Sequence, residues 1–303
     1  LQDSTMERVG FIGIGNMGLR MSKNILNAGY DLTAYDVREE ALTELADLKA
    51  HIAKSPREVG EVSDIVFIMV LNGLQAREVV CGNRGLLTGM KPGSTIICTS
   101  TIMRSEIIEI ASAVDDRGIY FVDSPVSGGV PGATAGTLTL MAATNKDVLD
   151  QCMHILKVVG QNIYHVGEEI GMGQTVKAAL SVLTGVTYAG IFEALILGVK
   201  AGVKPEILHQ VISTSVVGSF LFRDTTENIM DRNFTGQSHI GTMDKDLGIA
   251  KSMAKDYGVP LFTTSVAHEL FQMGKTVNPD EDNWTIIKVL EEMVGVEVKK
   301  TTS

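Results

Sequence analysis

The sequence predicts an α/β protein: a doubly wound, mostly parallel sheet over residues 6–170, then an all-α C-terminal domain over residues 171–303, joined by a long helix. Three observations carry this. Strand-like runs alternate with helix-like periods through the first half, strand patterns fade after Gly171, and the helical periods beyond it are long. The runs are apolar throughout rather than alternating, as in strands covered on both faces.

Taken in order, "RVGFIGI" (8–14) is an apolar strand, residues 17–28 have helical periodicity that stops at Gly29, and "YDLTAYD" (30–36) is the next strand. "DIVFIMV" (64–70), "STIICTS" (94–100) and "IYFVD" (119–123) follow, with helical segments such as 104–117 between them. "LTLMAA" (138–143), a helix over 146–159 and "NIYHVG" (162–167) extend the same layer. Helical periods then run over 175–201, 204–214, 244–256 and 284–294. No internal repeat or low-complexity tract interrupts them.

Composition narrows the function classes. Over 303 residues, 45% are apolar and 20% charged, the balance of a globular chain with room for a core in each of two domains. A net charge of −10 without a Lys/Arg cluster argues against nucleic acid as a partner. Cys81, Cys98 and Cys152 are odd in number, widely spaced and free of any C-x-x-C, which fits a reducing, cytoplasmic setting. "LQDST" before Met6 reads as a tag scar or ragged start, not an apolar leader. The uncharged apolar run 178–192 is too short to span a bilayer, so no membrane partner is expected. The six histidines lack metal-ligand spacing, and no metal is expected. Trp284 and the methionines read as core filling, and "PDEDN" (279–283) as a cap on the last helix.

Chemistry enters with "GIGNMG", which places Gly13, Gly15 and Gly18 in a G-x-G-x-x-G after a strand and at the head of a helix. Asp36 follows 18 residues after Gly18, at the end of the second strand. That is the dinucleotide fingerprint of a Rossmann-type fold in its required context. Gly13, Gly15, Asn16, Met17 and Gly18 would hold the pyrophosphate at a helix N-terminus. Asp36 would accept from the adenosine ribose hydroxyls and repel a 2′-phosphate, which favours NAD over NADP; Arg38 nearby acts the other way.

Two further features are less specific. "DSPVSGGVPGATAGTL" (123–138) is glycine-rich directly after a strand. The N–H groups of Ser127, Gly128 and Gly129 could form a nest for a carboxylate, or the stretch could be a flexible crossover. "GMGQTVKAALSVLTGVTYAG" (171–190) holds one charge, Lys177, at the head of an apolar helix, with Ser181 four residues on along the same face. A lysine there either snorkels from an exposed first turn or faces a cleft at the domain junction. The apolar remainder, with Gly185 and Gly190 allowing close packing, needs partners on every side, and a homodimer or homotetramer is expected.

Together these motifs resemble the β-hydroxyacid dehydrogenase family, which includes 3-hydroxyisobutyrate dehydrogenases, tartronate semialdehyde reductases and 2-(hydroxymethyl)glutarate dehydrogenases. The resemblance covers residues 8–296 through "GFIGIGNMG", "DSPVSGGVPGATAGTL", "GMGQTVK" and "KDLGIA". It implies that Lys177 is the catalytic lysine, that Ser127, Gly128, Gly129 and Ser181 hold a small carboxylate substrate, and that Leu71, Asn72, Ser100, Thr101, Lys245 and Asp246 line the NAD site. The reaction it implies is hydride transfer between the nicotinamide and a short 3-hydroxy acid, with Lys177 as general acid or base.

Two positions depart from the family pattern. Ser181 stands where asparagine is usual, and the "LPN" segment is reduced to Leu71-Asn72 without its proline. "VLNGLQ" (70–75) and "DVREEAL" (36–42) resemble the threonate-type branch, whereas "IIKVLEEMVGV" (286–296) resembles the hydroxymethylglutarate type. The rival readings are an NADPH-dependent glyoxylate, succinic semialdehyde or imine reductase on the same fold, and a non-catalytic NAD-binding module. Asp36 and Lys177 count against them.

Overall fold

The computed structural model describes residues 7–235, 238–278 and 280–301. Met6, Pro279 and the last two residues, on which the expected domain bounds and cap partly fell, lie outside the described residues. The sheet region begins β1 (Arg8–Ile12), α1 (Asn16–Asn27), β2 (Asp31–Tyr35), α2 (Glu39–Asp47), β3 (His51–Ile52) and α3 (Pro56–Val62). It continues with β4 (Ile65–Ile68), α4 (Gly73–Cys81), β5 (Thr95–Cys98), α5 (Arg104–Asp115), β6 (Tyr120–Asp123) and β7 (Val126–Ser127). Then come α6 (Gly129–Ala135), β8 (Leu138–Ala143), α7 (Lys146–Val159) and β9 (Gly160–Gly167). The helices α8 (Met172–Lys200), α9 (Pro205–Ser213), α10 (Phe220–Met230), α11 (Ile240–Asp256), α12 (Phe262–Val277) and α13 (Ile286–Val294) complete the chain. It divides into two compact units, Leu1–Lys177 and Ala178–Ser303, so the division falls inside α8 rather than before it.

In the first unit the strand order is β3-β2-β1-β4-β5-β6-β8-β7, with β9 paired to β8. The strands from β1 to β6 are parallel; β8 runs antiparallel to β6 and β7 and parallel to β9. Successive strand residues point to opposite faces. Phe11, Phe67, Ile97 and Val122 therefore enter one core with Met21 and Ile25 of α1 and Ile155 of α7. Ile12, Val66, Ile68 and Ile96 enter the other with Val59 of α3, Val80 of α4 and Ile107 of α5. Helices cover both faces, which is why these strands carry no polar alternation.

Of the two readings left open for 123–138, the flexible crossover gives way to regular structure. β7 pairs with β8 through Val126–Leu140 and Ser127–Thr139, and α6 follows. Short turns at Gly128 (φ +125°) and Gly129 (φ +59°) make this possible.

The second unit is helical. Tyr188, Phe192 and Leu195 of α8 pack with Phe222 of α10, Leu247 of α11, Phe271 of α12 and Ile287 of α13 around Trp284. A Cβ at Gly185 would lie 2.8 Å from Leu247, so that glycine does allow α8 and α11 to approach. Gly190 differs from expectation: a Cβ there would meet nothing within 4 Å. Length needs a second correction. The uncharged run is short, but α8 itself has 29 residues and is long and apolar enough to cross a membrane by length and composition. Tyr188, Phe192 and Leu195 of this helix lie in the helical core, whereas Leu183 and Leu197 are exposed. Asp282 caps the 3-10 turn before α13 by accepting from Asn283 N at 2.7 Å; α13 itself, expected to be capped by the acidic run, has Thr285 at its N-cap without a side-chain bond.

Candidate active site

Register brings the predicted cofactor residues to one edge. Tyr35, Ile12, Ile68, Cys98 and Asp123 form one row across β2, β1, β4, β5 and β6. The residues that follow each strand therefore leave the sheet side by side. They include Asp36, the Gly13–Gly18 turn, Leu71 with Asn72, Ser100 with Thr101, and the 124–129 stretch. The order reverses between β1 and β4, the switch point where open α/β sheets bind ligands.

The β1–α1 turn is shaped by its glycines. Gly13 has φ +95°, and a Cβ there would collide with the Met69 carbonyl oxygen; a Cβ at Gly18 would collide with that of Gly13. Gly15 differs, because a Cβ there meets nothing within 4 Å. It precedes α1 and offers no side chain to cap the helix. Helix N-termini leave N–H groups for an anion, and this turn fits a pyrophosphate on its own geometry. Asp36 is set beside it: Oδ2 accepts from Ile14 N at 2.7 Å, and Oδ1 from Arg38 N at 2.9 Å and Arg38 Nε at 3.3 Å.

Two predicted residues have structural work that the sequence did not suggest. Asn72 Oδ1 caps α4 by accepting from Gln75 N at 2.9 Å, while Leu71 beside it is 70% exposed. Ser100 is fully buried, and its Oγ accepts from Val70 N at 2.8 Å, tying the loop after β5 to that after β4. Thr101 is half-buried. Ser127, in β7, and Gly129 are half-buried, and Gly128 between them is exposed as the residue before α6.

Lys177 lies in the second turn of α8, not the first, and is half-buried. The start of this helix is tied to the sheet by residues that sequence reasoning missed. Asp123 Oδ2 accepts from Gly171 N at 2.9 Å and Gln174 N at 3.3 Å, and Asp123 Oδ1 from Gln174 Nε2 at 2.8 Å. Burial pushes the Asp123 carboxyl up to about 6, with the Gln174 and Gly171 hydrogen bonds pulling the other way. A strand-end aspartate followed 51 residues later by a glutamine on an apolar helix is the only signal the sequence holds for the pair.

In the second unit, Ser181 of α8 is buried. On α11, Lys245 and Asp246 form an ion pair of 2.9 Å, with the aspartate buried. The Gly185–Leu247 contact is one helical turn from Ser181 and next in sequence to Asp246.

The raised Asp123 carboxyl makes a stability prediction. The folded state binds the proton more tightly than the unfolded chain, whose carboxyl lies near its ordinary 3.8. This group therefore makes stability fall as pH rises from about 4 to about 6 and be regained on acidification. Asp123→Asn is expected to remove that contribution. Urea unfolding at several pH values should show a flatter slope in the variant, and an unchanged slope would place the titration elsewhere.

Comparison with known proteins agrees with this geometry. Residues 8–167 match the family model of the NAD binding domain of 6-phosphogluconate dehydrogenase. Residues 171–290 match the NAD-binding model of NADP-dependent 3-hydroxyisobutyrate dehydrogenase. The 2-(hydroxymethyl)glutarate dehydrogenase of Eubacterium barkeri is 36% identical over 96% of this chain and 97% of that protein. The chain belongs to the β-hydroxyacid dehydrogenase family. It is an NAD(P)-dependent hydroxyacid dehydrogenase with a Rossmann-like sheet and a helical C-terminal region, as its sequence predicted. The L-threonate dehydrogenase of Cupriavidus necator is 31% identical over 93% of this chain and 95% of that one. The crystal structure of a 3-hydroxyisobutyrate dehydrogenase from Salmonella typhimurium matches with a TM-score of 0.85 at 31% identity, over 93% of this chain and 99% of that chain.

Proposed function

We propose that this dehydrogenase uses NAD⁺ to oxidise the hydroxyl β to the carboxylate of a short acid, of the 3-hydroxyisobutyrate, threonate or hydroxymethylglutarate type, to a semialdehyde or β-keto acid. The observation that carries the reading is the row of strand ends, which sets the glycine turn, Asp36, the Ser100 loop and the Asp123 anchor of the Lys177 helix at one edge of the sheet. Bound there, the nicotinamide supplies the hydride acceptor. Ser127, Gly128 and Gly129 hold the substrate carboxylate, with Ser181 as a further contact in place of the usual asparagine. Lys177 hydrogen-bonds the reacting oxygen. In oxidation it accepts or relays the hydroxyl proton; in reduction it is the general acid. The family resemblance assigns Lys245 and Asp246, of the second unit, to the cofactor as well.

Asp36 is the basis for choosing NAD. Its carboxylate would face a 2′-phosphate with like charge, which costs several kcal/mol when desolvated. Asp36→Asn keeps an acceptor for Ile14 N and frees Arg38 of its ion pair. The ratio of kcat/KM for NAD⁺ over NADP⁺ is expected to fall by about an order of magnitude or more. An unchanged ratio would mean that another residue sets the preference.

The reading is tested by following NADH absorbance with NAD⁺ or NADP⁺ against 3-hydroxyisobutyrate, glycerate, threonate, 2-(hydroxymethyl)glutarate and 3-hydroxypropionate, with Lys177→Ala as control. A lysine-dependent signal with one acid names the substrate branch. Silence across the panel with NADH still bound would refute the substrate class and turn the search to larger acids, aldehydes or imines. Light scattering of the same preparation tests the homodimer or homotetramer, and a monomer would refute it.

A further inference from the structure

Gln174 is 1% exposed and its amide is fully engaged. Nε2 donates to Ser100 O at 3.0 Å and to Asp123 Oδ1 at 2.8 Å, and Oε1 accepts from Ile102 N at 3.0 Å. Both amide hydrogens are used, and Ile102 N needs an acceptor, so the amide has one orientation. Asp123 is fully buried and closes the network from the sheet side, accepting from the α8 backbone with its other oxygen. Gly173 permits this approach, since a Cβ there would lie 2.9 Å from Asp123 Oδ2. The network thus joins the end of β6, the first turn of α8 and the loop after β5. Through Ser100 Oγ and Val70 N it reaches the loop after β4 as well.

Two buried side chains so arranged tie the residues on either side of them. One side is the 99–102 loop, with Ser100 and Thr101. The other is α8, where Lys177 follows Gln174 by three residues, about one turn. Neither Asp123 nor Gln174 is an acid, base or ligand in the reaction above.

We propose that Asp123 and Gln174 are a positioning pair, a clasp that fixes the distance between the cofactor-lining 99–102 loop and the α8 turn carrying Lys177. This inference rests on Lys177 being the acid–base group. The clasp acts on kcat by placing that lysine. A misplacement of about 1 Å between reacting groups costs on the order of 10²-fold in rate.

The polarity of the Asp123–Gln174 bond provides the test. In Gln174→Glu, a carboxylate faces the Asp123 carboxylate and the Ser100 carbonyl. In Asp123→Asn, one of the former acceptor positions becomes a donor and meets an N–H. In the double variant Asp123→Asn/Gln174→Glu the bond runs in reverse. The introduced asparagine donates through its Nδ2 to the introduced glutamate and accepts from the α8 backbone through its Oδ1. The second oxygen of that glutamate still accepts from Ile102 N, and the net charge is that of wild type. Ser100 O loses its donor and faces a carboxylate oxygen, as it does in Gln174→Glu alone.

The experiment measures kcat, KM, NADH affinity by fluorescence titration, and Tm on the full chain. Each single variant is expected to lose about 10–100-fold in kcat, with NADH affinity within about threefold of wild type. The double variant is expected to recover at least tenfold over either single, the non-additivity of two groups in one bond. Gln174→Asn, one methylene too short to span the gap but unchanged in polarity, supplies the same comparison should a charged variant not fold; it is expected to lower Tm by the unpaired buried groups while kcat falls and NADH affinity is kept.

Wild-type kcat in the single variants overturns the clasp. So does a kcat loss that tracks Tm and NADH binding without rescue in the double variant, which marks a purely structural pair. Lys177→Ala in parallel separates the two readings. If it keeps activity, the acid–base assignment fails and the clasp with it. If it is inactive while the Asp123 and Gln174 variants turn over normally, the clasp alone fails.

Discussion

Lys177→Ala is expected to fold, to bind NADH as tightly as wild type and to lose about 10²–10⁴-fold in kcat, the usual worth of general acid–base assistance. Retention of the fold follows from its place. Lys177 is half-buried in the second turn of α8, alanine is the strongest helix former, and the bonds that anchor the helix come from Gly171 and Gln174. Lys177→Arg is the informative partner. A guanidinium can hydrogen-bond the reacting oxygen but does not give up its proton near neutral pH, so its kcat should lie close to that of the alanine variant. Electrostatic assistance alone would be retained by arginine; proton transfer would not. Steady-state kcat of both variants, with NADH fluorescence as the check on binding, decides between them. An alanine variant within a few-fold of wild type removes Lys177 from the mechanism.

What the sequence made legible divides along range of interaction. β8 and α7 are read from it to the residue, because an apolar run and a capped amphipathic period are local patterns. The β1–α1 turn is legible for the same reason: three glycines and a following acidic residue lie within one supersecondary unit. Other elements were hidden by their neighbours. α10, "FLFRDTTENIM", has too few apolar residues to declare a face, and α12 mixes exposed Phe262, Val266 and Val277 with polar residues on its outer side; both are helices because Phe222, Ile229 and Phe271 pack in the core of the second unit. β7 and α6 were masked by glycines that read as a loop.

Side-chain roles that depend on strand register were not legible at all. Ser100 was expected to line the cofactor site, and its Oγ also accepts from Val70 N, a partner 30 residues away. Asn72 caps a helix. The Asp123–Gln174 bond spans 51 positions and exists only because β5 and β6 end level at Cys98 and Asp123. No periodicity or motif announces such a bond; it is a consequence of the sheet.

The glycine turn carries the second large expected effect, because the roles of its first two glycines separate. Gly13→Ala forces an L-residue to φ +95° and pushes a Cβ into the Met69 carbonyl. Left-handed strain and the clash together are expected to cost about 2–4 kcal/mol, read as a fall in urea midpoint, with NADH binding lost as the turn shifts. Gly15→Ala behaves differently. Gly15 has φ −85°, and an added methyl meets nothing within 4 Å in the protein, so stability should match that of wild type. A pyrophosphate seated on the α1 N-terminus would meet that methyl, and NADH affinity is expected to fall by about tenfold or more, the few kcal/mol of a buried overpacked contact. A stable Gly15→Ala protein that binds NADH normally would show that the dinucleotide does not approach this turn. A variant that loses stability and binding together would show that Gly15 serves the turn itself. Stability kept and affinity lost in Gly15→Ala, beside the stability loss of Gly13→Ala, is the result that places the pyrophosphate against the backbone between Gly13 and Gly18.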